Sequence, residues 1–155
     1  MKDYPQLNLP MAQLKVRLTN GRAEVFDPLR GRFVALTPEE WVRQHFTAYL
    51  IRDKHYPTTL MVNEMNITLG NVSRRCDTVL FTPDREPRMI IEYKATSVPL
   101  TRKVFDQITR YNMVLHTPWL CVSNGLQHVC CSVDYLSGAV NFLDHIPNYN
   151  EITNQ

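Results

Sequence analysis

At 155 residues, 44% apolar and 21% charged, the sequence has the length of one globular domain and enough apolar material to bury a core. No apolar run approaches the ~20 residues of a membrane helix, and the first ten residues lack the apolar stretch of a secretory signal. The expected location is therefore cytoplasmic, with no membrane partner. A net charge of +2 neither demands nor forbids a nucleic-acid partner, because a local basic stripe matters more than the total.

Residues 14–18 and 32–36 alternate apolar and polar and read as strands, with Asn20-Gly21 as a turn between segments. Thr37 caps a helix over 38–53. Pro38 suits its first position, Glu40 completes a capping box, and Trp41, Val42, His45, Phe46, Tyr49 and Leu50 form an apolar stripe. His45 on that stripe reads as a packed core histidine. Strands follow at 61–69, 75–81 and 88–95, then a second helix over 101–116 with Val104, Ile108, Tyr111 and Leu115 inward. Strands at 119–123 and 126–133, joined by a tight turn at Asn124-Gly125, and a short one at 139–143 complete the pattern. Residues 1–10 and 147–155 are expected to be loosely held around a core of about 12–146, within a single domain of 1–155. Cys76, Cys121, Cys130 and Cys131 lack zinc-type spacing and read as reduced, mostly buried residues. The element order predicts an α/β (α+β) protein, a mixed β-sheet flanked by helices.

The segment from Met89 to Ala95 is apolar enough for a buried strand yet carries Glu92 and Lys94 on one face. Asp77 interrupts the preceding strand in the same way. If the hairpin is symmetric, its centre falls between Asp84 and Arg85, and Asp77 lies directly across from Glu92, with side-chain bases roughly 5 Å apart. Carboxylates that close repel unless a cation sits between them. Mg²⁺ suits the position, because it takes oxygen ligands, keeps several waters and needs one or two carboxylates beside a substrate phosphate. Lys94 would hold the attacking hydroxide or a phosphate oxygen. A slip of one residue in register would separate the two acids. Gln107 and Tyr111, four apart on the second helix, flank Ile108 and are expected to aim polar tips toward the sheet.

Taken together, Asp77, Glu92-Tyr93-Lys94 and Gln107-x-x-x-Tyr111 resemble the PD-(D/E)XK nucleases of the RecB-like branch. The stretch from Phe26-Asp27-Pro28 through Leu36 to Gln44 and on to Ser123-Asn124-Gly125 is similar to the N-terminal nuclease domain of type I restriction R subunits. That resemblance implies a restriction-endonuclease-like fold and a metal-dependent endonuclease acting on DNA. It implies Asp77 and Glu92 as metal ligands, Glu64 as an added acidic ligand, Lys94 as catalytic, and Gln107, Tyr111 and Arg75 as supporting or nucleic-acid residues. Mg²⁺ is the implied cofactor, with Mn²⁺ as a substitute. Cys76 stands where the motif's name has Pro, and the sequence has no G-x-x-x-x-G-K-[ST] loop for an ATP-driven motor. A partner protein supplying motor or specificity, and a homodimer cutting both strands, are the associations expected. The competing readings are a nuclease-fold module that binds DNA or a partner without cutting, and an α/β domain whose charged strand residues form ordinary salt bridges.

Overall fold

Three short strands open the fold: β1 (Val16–Thr19), β2 (Arg22–Asp27) and β3 (Arg32–Ala35), antiparallel in the order β1-β2-β3. The computed structural model describes residues 4–153 apart from Gly70; the side chains of Leu69, Val72, Arg74, Arg110, Tyr111, Met113 and Val114 also lie outside the description. Asn20 and Gly21 make the two-residue hairpin between β1 and β2, both with positive φ (51° and 75°), as a turn matched to strand twist requires. Strand β2 lies between the two strands that alternation predicts, and it supplies the middle of this small sheet.

Helix α1 (Pro38–Asp53) starts where the capping signal places it, with the Glu40 N–H donating to Thr37 Oγ1 at 3.1 Å. Strands β4 (Met61–Leu69), β5 (Val72–Phe81) and β6 (Pro87–Tyr93) follow, then helix α2 (Arg102–Leu115). Strands β7 (Trp119–Ser123), β8 (His128–Val133) and β9 (Val140–Leu143) and a short helix α3 (Tyr149–Thr153) complete the chain. The six later strands form one sheet in sequence order. β6 and β7 run parallel, so their connection needs a crossover, and α2 is that crossover. The other neighbours are antiparallel.

Period-2 alternation divides the core between the two faces. Met89, Ile91 and Tyr93 of β6 pack with Val42, Phe46 and Leu50 of α1, whereas Ile90 packs in the layer that holds Phe105 and Leu115 of α2. β7 is buried along its whole length, as expected for a strand covered on both faces. All four cysteines are buried thiols, and burial pushes Cys131 up to about 12. No helix among the described residues is long and apolar enough to cross a membrane.

Two local expectations need correction. The described ends are packed: Leu7 is buried against Gly125, the Asn8 N–H donates to Gly125 O at 2.7 Å, and Ile152 is fully buried. Leu7 and Ile152 both join the core cluster that holds Val42, Phe46 and Leu50 of α1. The β7–β8 connection spans 124–127, with the Asn124 N–H bonded to Gln127 O, so Asn124-Gly125 opens a four-residue loop. Asn124 Oδ1 also accepts from the Leu126 and Gln127 N–H groups, which holds that wider shape.

Candidate active site

The β5–β6 register is Thr78↔Ile91, Val79↔Ile90 and Leu80↔Met89, which continues to Asp77 opposite Glu92. The ladder stops at that level. The Tyr93 N–H donates at 2.8 Å to Asp77 Oδ2, so a side chain takes the place of a strand carbonyl. On its other side β6 stays paired with β7 through Glu92↔Val122 and Tyr93↔Ser123. Lys94 follows one residue later, its N–H donating to Ser123 O at 2.9 Å, with its side chain half-buried.

A change of face on the neighbouring hairpin brings α1 into the same place. Met61 and Leu80 pack in the α1 layer, but Met65, Ile67 and Cys76 pack in the α2 layer. Residues two apart on a strand normally share a face, so the ribbon turns over between Asn63↔Thr78 and Met65↔Cys76. Glu64 and Asp77 occupy that step, and Glu64 has φ of 60°, a left-handed conformation rare for a strand glutamate. Asp77 thereby meets both Glu92 on β6 and Arg43 on α1, whose Nη2 donates to Asp77 Oδ1 at 2.8 Å.

Glu92 is 7% exposed. Burial pushes its carboxyl up, the Asp77 charge pushes it further, and the nearby Lys94 ammonium pulls the other way, leaving it at about 8. Its Oε1 is buried with no hydrogen-bond partner among the described residues, a costly state for an acid in a core. Asp77, Glu92 and Lys94 are therefore brought together, as the hairpin argument expects.

The other sequence candidates lie differently. Both oxygens of Glu64 are taken by arginines, Oε1 by Arg43 Nη1 and Oε2 by Arg75 Nε, each at 2.5 Å. Arg75 is largely exposed and pairs with Glu64 through its Nε. Gln107 is an exposed residue of α2, one position from buried Ile108. The side chain of Tyr111 lies outside the described residues. His45 is a buried packing residue, its Nδ1 2.9 Å from Trp41 O.

Sequence reasoning missed a buried polar network on α1. Arg43 Nη1 also donates to Glu40 Oε2 at 2.9 Å; Glu40 Oε1 accepts from Arg30 and from Gln44 Nε2; Arg30 pairs with buried Asp27. Asn63 joins that chain to the sheet, donating to Asp27 Oδ2 at 2.9 Å and accepting from Thr78 Oγ1 at 2.6 Å. Glu40, Arg43, Gln44 and Thr47 recur at helical intervals beside the apolar stripe and all four are buried, but in sequence that spacing looks the same as a solvated face.

Residues 38–147 match the family described as type I restriction enzyme R protein N terminus. Among solved structures, a fragment of an HsdR subunit of a type I restriction enzyme from Vibrio vulnificus is similar, at 20% identity and a TM-score of 0.55 over 77% of this chain. This chain spans 25% of that one. The likeness gives the fold, α+β and restriction-endonuclease-like. No curated protein matches.

Proposed function

The chain belongs to the type I restriction enzyme R protein N-terminal family, and on that premise we propose that it is a metal-dependent nuclease domain hydrolysing phosphodiester bonds of DNA through Asp77, Glu92 and Lys94. The observation that carries this reading is the buried, unpartnered Glu92 Oε1 across from Asp77, with Lys94 alongside.

A divalent cation fits the residues present. Two facing carboxylates, one of them buried and short of a partner, are stabilised by a cation between them. Among the described residues no three acidic, histidine or cysteine side chains converge into a closed cage, and a catalytic Mg²⁺ keeps positions for water and phosphate. Mg²⁺, or Mn²⁺ in its place, held by Asp77 and Glu92 would neutralise charge at phosphorus and acidify a water.

The chain's own groups supply the rest. Arg43 and the Tyr93 N–H each hold one oxygen of Asp77, so its carboxylate is fixed before substrate arrives. Burial keeps bulk water from Glu92. The Lys94 ammonium, a compact charge with three donors, would hold the attacking oxygen or a non-bridging phosphate oxygen. Attack by water forms one P–O bond as the ester P–O bond breaks, and the departing oxygen takes up a proton. A further protein supplying motor or specificity, pairing of two copies to cut both strands, and a cytoplasmic location accompany this reading.

The test is cleavage of supercoiled plasmid and of single-stranded DNA with Mg²⁺ or Mn²⁺, comparing wild type and Lys94→Ala. Cutting that needs the metal, stops with EDTA and is lost in Lys94→Ala is the expected result. Mn²⁺ binding without cutting of either DNA would favour a nuclease-fold module that binds DNA or a partner. Neither binding nor cutting would sink the nuclease reading.

A further inference from the structure

The acids around the site fall into two groups with opposite needs. Glu40, Glu64 and Asp77 come from α1, β4 and β5 and converge on one guanidinium, that of Arg43, which is 4% exposed. Its Nη1 lies 2.9 Å from Glu40 Oε2 and 2.5 Å from Glu64 Oε1, and its Nη2 lies 2.8 Å from Asp77 Oδ1. The remaining oxygens of these three acids are also engaged, by Arg30 and Gln44 on Glu40, Arg75 on Glu64 and the Tyr93 N–H on Asp77. Glu92 is the exception, with Oε1 buried and unpartnered.

We infer that Arg43 is the permanent cation of this site, a positioning residue that fixes Asp77 and occupies Glu40 and Glu64, leaving Asp77 and Glu92 to a single exchangeable divalent ion. This rests on the nuclease reading above and deepens it. It assigns Glu64, which the sequence resemblance places among the metal ligands, to Arg43 instead.

The geometry supports the assignment on two counts. A guanidinium is planar, always charged and rigid, so it holds its carboxylates in fixed directions, Glu40 and Glu64 at Nη1 and Asp77 at Nη2. Its five donors also carry direction: the edge given to Asp77 sets that carboxylate's orientation, which a mobile ion would not do before binding. The left-handed backbone at Glu64 serves the same end, because it lets a strand residue reach Arg43 across the step where the ribbon turns over.

The experiment is calorimetric titration with Mn²⁺, paired with thermal melts in EDTA and in Mn²⁺, for wild type, Glu92→Gln, Glu64→Gln, Arg43→Lys and Arg43→Met. Wild type should bind one Mn²⁺ and Glu92→Gln none. Glu64→Gln should still bind one, weakened by less than about tenfold, the lower bound for an outer-shell partner. Arg43→Lys keeps the charge and should keep a single ion. Arg43→Met releases three carboxylates, so it should melt lower in EDTA and recover with Mn²⁺ as a second ion enters. Two ions in wild type, or a loss in Glu64→Gln matching that in Glu92→Gln, would overturn the inference while leaving the nuclease reading intact. A wild type that binds no Mn²⁺ would overturn both.

Discussion

Glu92→Gln should make the metal-free protein more stable at neutral pH, although it removes a residue proposed to be essential. In the fold the Glu92 carboxyl is raised from an ordinary 4.5 to about 8 by burial and by the Asp77 charge. An acid raised on folding holds its proton more tightly in the folded chain. Its contribution is therefore whole below about 4.5 and is lost progressively as pH climbs toward 8. At pH 7 the loss spans about 2.5 units at 1.36 kcal/mol each, roughly 3 kcal/mol. A glutamine of the same shape removes that loss and offers an N–H to Asp77. In a chain of this size 1 kcal/mol moves Tm by about 2–4 °C, so the variant should melt about 6–12 °C higher in EDTA at pH 7. The two proteins should converge near pH 4.5. Excess Mn²⁺ should reverse their order by stabilising only the wild type. The assay is a set of melts from pH 4.5 to 8.5 with and without metal. A Glu92→Gln protein that melts below wild type in EDTA at pH 8 would refute the reasoning.

Other consequences are checked more simply. Lys94→Ala should lower cleavage by about a hundredfold or more, the range for losing one charge-stabilising donor. It should leave Mn²⁺ binding unchanged or tighter, since it removes a cation beside Glu92; calorimetry and initial rates separate the two. Gly125→Ala should destabilise by about 1–3 kcal/mol, because φ is 82° and a Cβ there would stand 2.7 Å from Leu7 Cδ2 and 3.2 Å from Val42 Cγ2. Denaturant unfolding measures it. Half-buried His128 donates from Nε2 to Asn8 O and accepts at Nδ1 from the Ser123 hydroxyl, an assignment made from its partners. Burial lowers its pKa, so the stability it contributes is whole above the ordinary value near 6.5 and is lost as pH falls below it. Melts of wild type and His128→Gln should diverge least at low pH.

The hairpin that builds the site was legible for a reason only half present in the molecule. Symmetry about a centre between Asp84 and Arg85 puts Asp77 across from Glu92, and the structure has that register. The turn itself closes earlier, with the Thr82 N–H on Glu86 O, which centres it on Asp84. That turn alone would set Asp77 opposite Ile91 and send its side chain to the wrong face. An irregularity between Leu80 and Phe81, where Phe81 pairs with Pro87 and Leu80 with Met89, inserts Arg88 and restores the register. Nothing in the spacing of apolar residues announces a one-residue bulge, so the site depends on a feature the pattern cannot display.

Helix α1 shows the complementary limit. Its cap and apolar stripe are local properties, set by Thr37, Pro38 and the positions from Trp41 to Leu50, and both were readable. The stripe of Glu40, Arg43, Gln44 and Thr47 has the same period but the composition of a solvated face. What buries it is non-local: acids delivered by β2, β4 and β5, from Asp27 to Asp77, and the turnover of the β4–β5 ribbon at Glu64. A charge enters a core only where partners from other elements arrive with it. Period alone cannot tell a polar face that meets water from one that meets its counter-charges. Asp77 and Glu92 were found because carboxylates broke apolar strands, whereas Arg43 broke no pattern and had to be seen in place.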